Sequence, residues 1–70
     1  METASEREIG NTAGKIWNIL ADGDKLAISQ ILSRVDEPAS LVYMGIGWLA
    51  REGKLNFDKA PKRGVLISLK

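Results

Sequence analysis

The chain has no cysteine and no histidine. These absences exclude disulfides, zinc-finger sites and metal-bound imidazoles. They also leave only serine or lysine as a nucleophile for covalent catalysis, without an imidazole as its base. We therefore expect no enzyme activity, no metal and no cofactor. The formal net charge is only +1, so binding to a nucleic acid would depend on locally clustered lysines and arginines.

Long hydrophobic runs are also absent, since no apolar stretch approaches the roughly 18 residues that span a bilayer. The first residues, 1–6, lack a basic start followed by an apolar segment, as a signal peptide would have. We expect a cytoplasmic protein with no membrane partner. A chain of 70 residues forms one domain whose core is marginal, and without disulfides or metals it is reinforced most simply by forming a homodimer.

No repeat or linker divides the chain, which predicts a partly disordered segment at residues 1–8 and one domain at residues 9–70. A helix could start early, because Ser5 and Glu8 match a capping box, or later with Asn11 as its cap. Its apolar stripe predicts a helix that ends near residues 21–23, with Trp17 at the centre of the buried face. The residues of this stripe are Ile9, Ala13, Ile16, Trp17 and Leu20.

Two further helices are predicted after a short strand at Leu26. The second covers residues 28–35 and buries Ile28, Ile31, Leu32 and Val35. A tight turn follows, because Asp36, Glu37 and Pro38 are typical of a new helix start. Helical periodicity divides the third helix into three sectors. The core-facing sector is Val42, Gly45, Ile46 and Leu49, the adjacent apolar sector is Leu41, Met44 and Trp48, and the solvent-facing sector is Ser40, Tyr43, Gly47 and Arg51.

A β-hairpin is predicted after Gly53, a residue that ends many helices. Leu55 and Phe57 alternate with polar residues, as in a half-buried strand. Residues 58–64 form the predicted connection and residues 65–69 the returning strand. The resulting fold class is mainly α with a small β-sheet. Three helices, a short first strand and a two-stranded wing make a winged helix-turn-helix.

Two segments, residues 13–17 (Ala-Gly-Lys-Ile-Trp) and residues 45–52 (Gly-Ile-Gly-Trp-Leu-Ala-Arg-Glu), also suggest a family. The chain resembles small free-standing bacterial winged helix-turn-helix proteins of unassigned function over residues 9–69. The resemblance implies a nucleic-acid-binding or regulatory role. Position 45 is more often alanine in that family, so Gly45 is a departure expected to loosen the third helix.

Other motifs have structural explanations. Residues 10–15 resemble a phosphate-binding loop, but the spacing is one residue short and no strand precedes it. Asp22 and Asp24 flank a glycine, which is typical of a turn rather than of paired catalytic carboxylates. Glycines inside helices usually mark close packing. We therefore predict that the first and third helices cross at Gly14 and Gly45, while Gly47 either packs similarly or leaves room for a nucleic-acid backbone or a second subunit.

Basic residues cluster on the wing, where they could contact the phosphates of duplex DNA. The predicted nucleic-acid-binding residues are Ser40, Tyr43 and Arg51 on the third helix, and Lys59, Lys62 and Arg63 on the wing. Base readout is expected to be poor, because the third helix exposes no Lys, Asn or Gln near its start and follows two acidic residues. Arg51 could reach a backbone phosphate, or it could pair with Glu37, Glu52 or the terminus of its own helix.

The remaining apolar sector of the third helix, Leu41, Met44 and Trp48, is the predicted dimer interface. Trp48 could instead cap the core of the monomer. The alternative to a DNA-binding or transcription-regulating protein is a module for protein–protein interaction or dimerisation that keeps the same fold without binding DNA.

Overall fold

A computed structural model describes residues 5–62 and 64–70 of the chain. In this part the elements follow the predicted order of helix, strand, helix, helix, strand and strand. They are α1 (Glu6–Leu20), β1 (Leu26–Ala27), α2 (Ile28–Arg34), α3 (Ala39–Arg51), β2 (Leu55–Ala60) and β3 (Gly64–Leu69). The mainly α fold with a small sheet is thereby confirmed.

The first helix starts early, at Glu6, because both halves of a capping box are formed. The Ser5 hydroxyl accepts a hydrogen bond from the Glu8 backbone N–H at 3.2 Å, and the Glu8 carboxylate accepts one from the Ser5 N–H at 3.0 Å. Asn11 consequently lies inside the helix. The helical part extends three residues ahead of the predicted boundary at residue 9, and residues 1–4 of the predicted disordered segment lie outside the described residues.

The core is built where α1 and α3 cross and where the sheet covers them. Its fully buried apolar side chains come from every helix and from β3, and they are Ile16, Leu20, Ile31, Val42 and Ile67. Trp17 is not among them, and the prediction that it centres the buried face is wrong. Its side chain is 42% exposed, because it lies about 100° around α1 from Ile16, at the border of the buried stripe.

Gly45 lies at the closest approach of α1 and α3. A Cβ atom at this position would lie 3.0 Å from Cδ1 of Ile16 and 3.2 Å from the backbone N of Ala13. The predicted close crossing at Gly45 is confirmed. At Gly14 it is wrong, since a Cβ there would meet nothing within 4 Å and the residue lies on the exposed face of α1.

The acidic turn between α2 and α3 lies against α1, because Glu37 of the turn forms an ion pair with Lys15. Gln30 holds the start of α2 by accepting a hydrogen bond from the Ala27 N–H at 2.9 Å. Of the residues predicted to be buried by α2, Ile31 and Val35 are buried, whereas Ile28 and Leu32 are only partly covered. Helix α3 itself begins at Ala39 and not within residues 36–38.

The sheet is antiparallel with strand order β1-β3-β2, so β2 is an edge strand. β2 continues to Ala60, which pairs with Gly64, and the predicted connection of residues 58–64 is therefore too long. Gly64 has φ +77°, a value that glycine adopts without strain at the end of a short hairpin loop. Leu55 is buried as predicted. Phe57 is 50% exposed although its partner Ile67 in the central strand is fully buried, because β2 is the edge strand.

Candidate nucleic-acid interface

One face of α3 is open to solvent along its whole length. Ser40, Tyr43, Gly47 and Arg51 are all exposed, as their spacing of three and four residues predicts. The Tyr43 side chain is 53% exposed. A Cβ on Gly47 would meet nothing within 4 Å, so this glycine does not pack against another helix and leaves a shallow gap in the middle of the face.

The acidic residues near this face are partly neutralised. Glu37 forms an ion pair with Lys15 of α1, which ties the carboxylate to the first helix. Glu52 pairs with Lys54 at 3.5 Å. Both carboxylates that the sequence offered as partners for Arg51 are thus paired with lysines. Among the described residues, no carboxylate lies within ion-pair distance of Arg51.

The wing contributes further unpaired cations. Lys59 lies within β2 and not in the connection, opposite Val65 and on the same face of the sheet as Phe57. Lys62 follows Pro61 in the turn, and both lysines are exposed. Neither has a carboxylate partner in residues 5–62 and 64–70. Arg63, the remaining predicted residue, lies outside the described residues.

Two lysines close to the wing differ from these. Lys25, just before β1, pairs with Asp58 of β2 at 3.1 Å, and Lys54 at the base of the wing pairs with Glu52. The middle and the tip of the wing therefore carry positive charge that nearby acids do not offset. Arg51, at the end of α3, adds a third cation that has no carboxylate partner in the described part of the chain. This arrangement suits contact with phosphate groups, which are anionic and need only a nearby cation.

The predicted dimer interface is only partly on the surface. Leu41 is 8% exposed and is covered by its own chain, so it offers little surface to a second subunit. Met44 is 41% exposed. Trp48 is half-buried and packs against the core, with its ring 3.7–3.8 Å from the position of a Cβ on Gly10. Trp48 therefore belongs to the monomer's own packing and also reaches the surface.

A groove runs along this side of α3, with a volume of about 520 Å³. Its lining residues are Ile9, Met44, Gly47, Trp48, Arg51 and Glu52. Sequence reasoning found Met44 and Trp48 from their helical spacing, but it missed the contribution of Ile9 from α1. The surface position of Phe57 was also missed, since alternation along a strand does not show which strand lies at the edge of the sheet.

Neither a metal centre nor a membrane span is found in the described part of the chain. No cluster of three or more Asp and Glu side chains there could hold a metal ion. No described helix is both long and apolar enough to cross a bilayer.

The three helices and the three-stranded sheet with its hairpin define a winged helix-turn-helix protein. More particularly, the chain belongs to the winged helix-turn-helix domain family DUF2582, whose model matches residues 1–68. It is 43% identical over 61 residues to the uncharacterized protein MJ1608 of Methanocaldococcus jannaschii, an alignment that covers 84% of this chain and 87% of the relative. The resemblance to small winged helix-turn-helix proteins of unassigned function is confirmed. Its restriction to bacteria is not, because this relative is archaeal.

A solved structure is similar throughout the domain. The solution NMR structure of protein BT2368 from Bacteroides thetaiotaomicron has a TM-score of 0.78 and 26% sequence identity to this chain, covering 91% of this chain and 77% of that one. The likeness in fold at low identity supports the element order and topology described above.

Proposed function

We propose that this cytoplasmic protein binds duplex DNA and acts in transcription regulation, with contacts made mainly to backbone phosphates. Winged helix-turn-helix domains commonly place their third helix and their wing against a duplex. Here Arg51, Lys59, Lys62 and Arg63 would neutralise phosphates. Ser40 and Tyr43 would lie beside the backbone and donate hydrogen bonds from their hydroxyl groups.

The observation that carries this proposal is that cations without a carboxylate partner lie on the open face of α3 and on the wing, whereas Arg7, Arg34 and Lys70, which also lack a partner among the described residues, lie on other parts of the chain. Lys15, Lys25 and Lys54 each have a carboxylate partner. Arg51, Lys59 and Lys62 have none among the described residues, although all three are exposed. An unpaired surface cation keeps its full attraction for phosphate, because no internal pair must first be broken.

Contacts to phosphate rather than to bases are favoured by the side chains of α3. Base edges in the major groove are read mostly by Arg, Lys, Asn or Gln near the start of the recognition helix. The first two turns of α3 expose Ser40, Tyr43 and Met44 instead. Arg51 is the last residue of the helix. The expected binding is therefore similar for duplexes of unrelated sequence.

The salt dependence of binding tests the proposal. Each neutralised phosphate contributes about −0.9 to the slope of log K against log salt concentration, so four cations predict a slope of about −3 to −4. The variant that combines Lys59→Glu and Lys62→Glu should bind two unrelated duplexes more weakly to the same degree and should flatten this slope by about 2. Fluorescence anisotropy at several salt concentrations measures both.

A matched control changes the same charge elsewhere. Arg7 and Lys70 are exposed and lie at the start of α1 and at the end of the chain. The combination of Arg7→Glu with Lys70→Glu should weaken binding much less and leave the slope nearly unchanged. Equal effects of the two double variants would show that only net charge matters and would contradict the proposed site. A wild-type protein that binds neither duplex at low salt would contradict the function itself.

A second candidate function is homodimerisation through the groove beside α3. The exposure of Met44 at 41% and the apolar lining of the groove by Ile9 and Trp48 favour it. The polar rim, Arg51 and Glu52, carries one charge of each sign, so two copies related by a twofold axis could pair opposite charges across the contact. Such a dimer would also reinforce a small core that has no disulfide.

Sedimentation tests the dimer. Met44→Glu should convert a dimer at micromolar concentration into a monomer of 7.7 kDa, because it places a charge in an apolar contact. Met44 suits this test better than Trp48, whose removal would also disturb the core. Ser29→Glu is the control, since Ser29 is exposed on α2, away from the groove. A wild-type monomer at these concentrations would exclude this candidate.

A further inference from the structure

Two aromatic rings, one on α3 and one on the wing, are only partly covered by the fold. Tyr43 of α3 is 53% exposed and Phe57 of β2 is 50% exposed. An exposed phenylalanine gains little from folding, because about half of its apolar surface stays in water. Both rings lie on the elements that the proposed function places against DNA, and they do not contact the phosphate-binding cations through any ion pair or hydrogen bond.

Phe57 lies on the helix-facing side of the wing. It pairs with Ile67, and it shares a sheet face with Leu55. Both of these neighbours are buried, so this face is the one turned toward the helices. β2 follows α3 directly and packs against it. Phe57 therefore lies on the helix-facing side of the edge strand, beside the buried Ile67 and two residues beyond the buried Leu55. Lys59 follows on the same face, two residues closer to the hairpin tip.

Tyr43 is flanked on α3 by small residues. Ser40 lies one turn before it and Gly47 one turn after it, and both are exposed. A Cβ on Gly47 would have no neighbour within 4 Å. The face of the tyrosine ring is thus left open on that side of the helix. Tyr43 lies about 140° around α3 from Trp48, at 100° per residue, and therefore on a different side of the helix from the contact of Trp48 with α1.

We infer that Tyr43 and Phe57 stack on unpaired bases, and that single-stranded DNA is a preferred ligand of this surface. Proteins bind single strands by combining cations that follow the backbone with aromatic rings on which successive bases stack. The surface has both parts, since Lys59 and Lys62, which have no carboxylate partner among the described residues, follow Phe57 on the wing. It lacks the side chains that read base edges in an intact duplex.

The charges around Phe57 favour a nucleic acid over a second copy of the chain. Its neighbour on the same face toward the tip is Lys59, and Lys62 follows in the turn. Two copies that met through this surface would bring their lysines together and repel each other. A single strand instead supplies phosphates for the lysines and bases for the rings. The inference rests on the proposed function to the extent that the same cations bind phosphate.

The test compares the affinities of the full chain for two ligands. Fluorescence anisotropy measures binding of an oligo-dT of about 15 nucleotides, which fits known single-strand site sizes, and of a mixed-sequence duplex of the same length. Oligo-dT should bind at least as tightly as the duplex. Phe57→Leu and Tyr43→Leu should each weaken oligo-dT binding by about 5- to 150-fold, the usual effect of losing one stacked base. Phe57→Leu, at a residue outside the proposed duplex contacts, should change duplex binding by less than about twofold.

Ring-preserving variants provide matched controls. Phe57→Tyr and Tyr43→Phe keep a ring at each position and should retain the oligo-dT affinity of the wild type. Circular dichroism and thermal melts of all four variants separate lost stacking from lost folding. A leucine variant that melts like its ring-preserving counterpart and still binds oligo-dT normally would overturn the inference.

The outcomes distinguish this inference from the proposed function. Tight duplex binding with much weaker oligo-dT binding would overturn the stacking inference and leave the proposed function intact. Binding of neither ligand would remove both. A change in sedimented mass caused by Phe57→Leu, without a change in oligo-dT affinity, would assign the ring to a contact between two copies. Binding of oligo-rU more than about tenfold tighter than oligo-dT would overturn the assignment of DNA as the ligand.

Discussion

The crossing of α1 and α3 differs from the wing in almost every physical respect. At the crossing Ile16 and Val42 are fully buried, and Gly45 leaves no room for a Cβ without a shift of its neighbours. On the wing the side chains of Phe57, Lys59 and Lys62 are exposed. The crossing is dominated by apolar packing, whereas the wing projects cations and an aromatic ring from a regular two-stranded ladder.

This difference indicates how stability and binding are separated in a small chain. Substitutions at the crossing should act on the free energy of unfolding, because close-packed interiors adjust poorly to changes of volume. Substitutions on the wing should act on ligand affinity, because the exposed side chains make few contacts that folding depends on. The following experiments test whether the boundary between the two regions lies where the structure places it.

The largest effect is expected at Ile16. Ile16→Ala should lower the free energy of unfolding by about 2–5 kcal/mol, because it leaves a cavity in a fully buried position. Trp17→Ala removes a larger side chain from the adjacent position, but the exposure of that side chain should limit the loss to about 1–2 kcal/mol. Urea titrations of both variants give the comparison. A greater loss for Trp17→Ala would place the tryptophan in the core after all.

The next effect concerns the glycines of the two helices. Gly14→Ala should stabilise the protein by about 0.8–1 kcal/mol, since alanine favours the helix and the site is open. Gly45→Ala gains the same helix propensity, but its Cβ would press on the Ala13 backbone, and overpacking usually costs about 1–3 kcal/mol. We expect a net loss of about 1 kcal/mol. Thermal melts of the two variants measure these shifts, and an equal gain for both would show that the helices can move apart.

Helical periodicity predicted much of this fold. The pattern of Ala13, Ile16 and Leu20 placed the buried face of α1 correctly, because a residue near the centre of a stripe stays buried over a range of rotations. Trp17 lies at the border of the stripe, where a small rotation of the helix decides between core and surface. Gly14 and Gly45 look alike in the sequence, and only the packing of α1 against α3 distinguishes them.

The candidate site was predictable in its exposure but not in its electrostatics. The spacing of Ser40, Tyr43 and Gly47 placed them on the open face of α3. The ion pair between Lys15 and Glu37 joins residues far apart in the chain, so the sequence alone did not show that Arg51 would be left unpaired. Lys59 was assigned to a loop, because the register of the hairpin depends on a turn whose length the sequence did not settle.

The smallest effect is expected where the wing meets the rest of the sheet, at the ion pair between Lys25 and Asp58. The pair is formed at 3.1 Å, with both side chains about half exposed. Exposed ion pairs contribute about 0.2–1 kcal/mol, since solvent screens the charges and both side chains lose rotamer freedom. A double-mutant cycle of Lys25→Ala and Asp58→Ala should therefore give a coupling free energy below about 1 kcal/mol, and it should shrink further in high salt. Urea titrations of the wild type, both single variants and the double variant provide the four values. A coupling free energy above about 2 kcal/mol would mean that this ion pair fixes the wing to the domain. The wing would then contribute to stability as well as to binding, which would contradict the proposed division between the crossing and the wing.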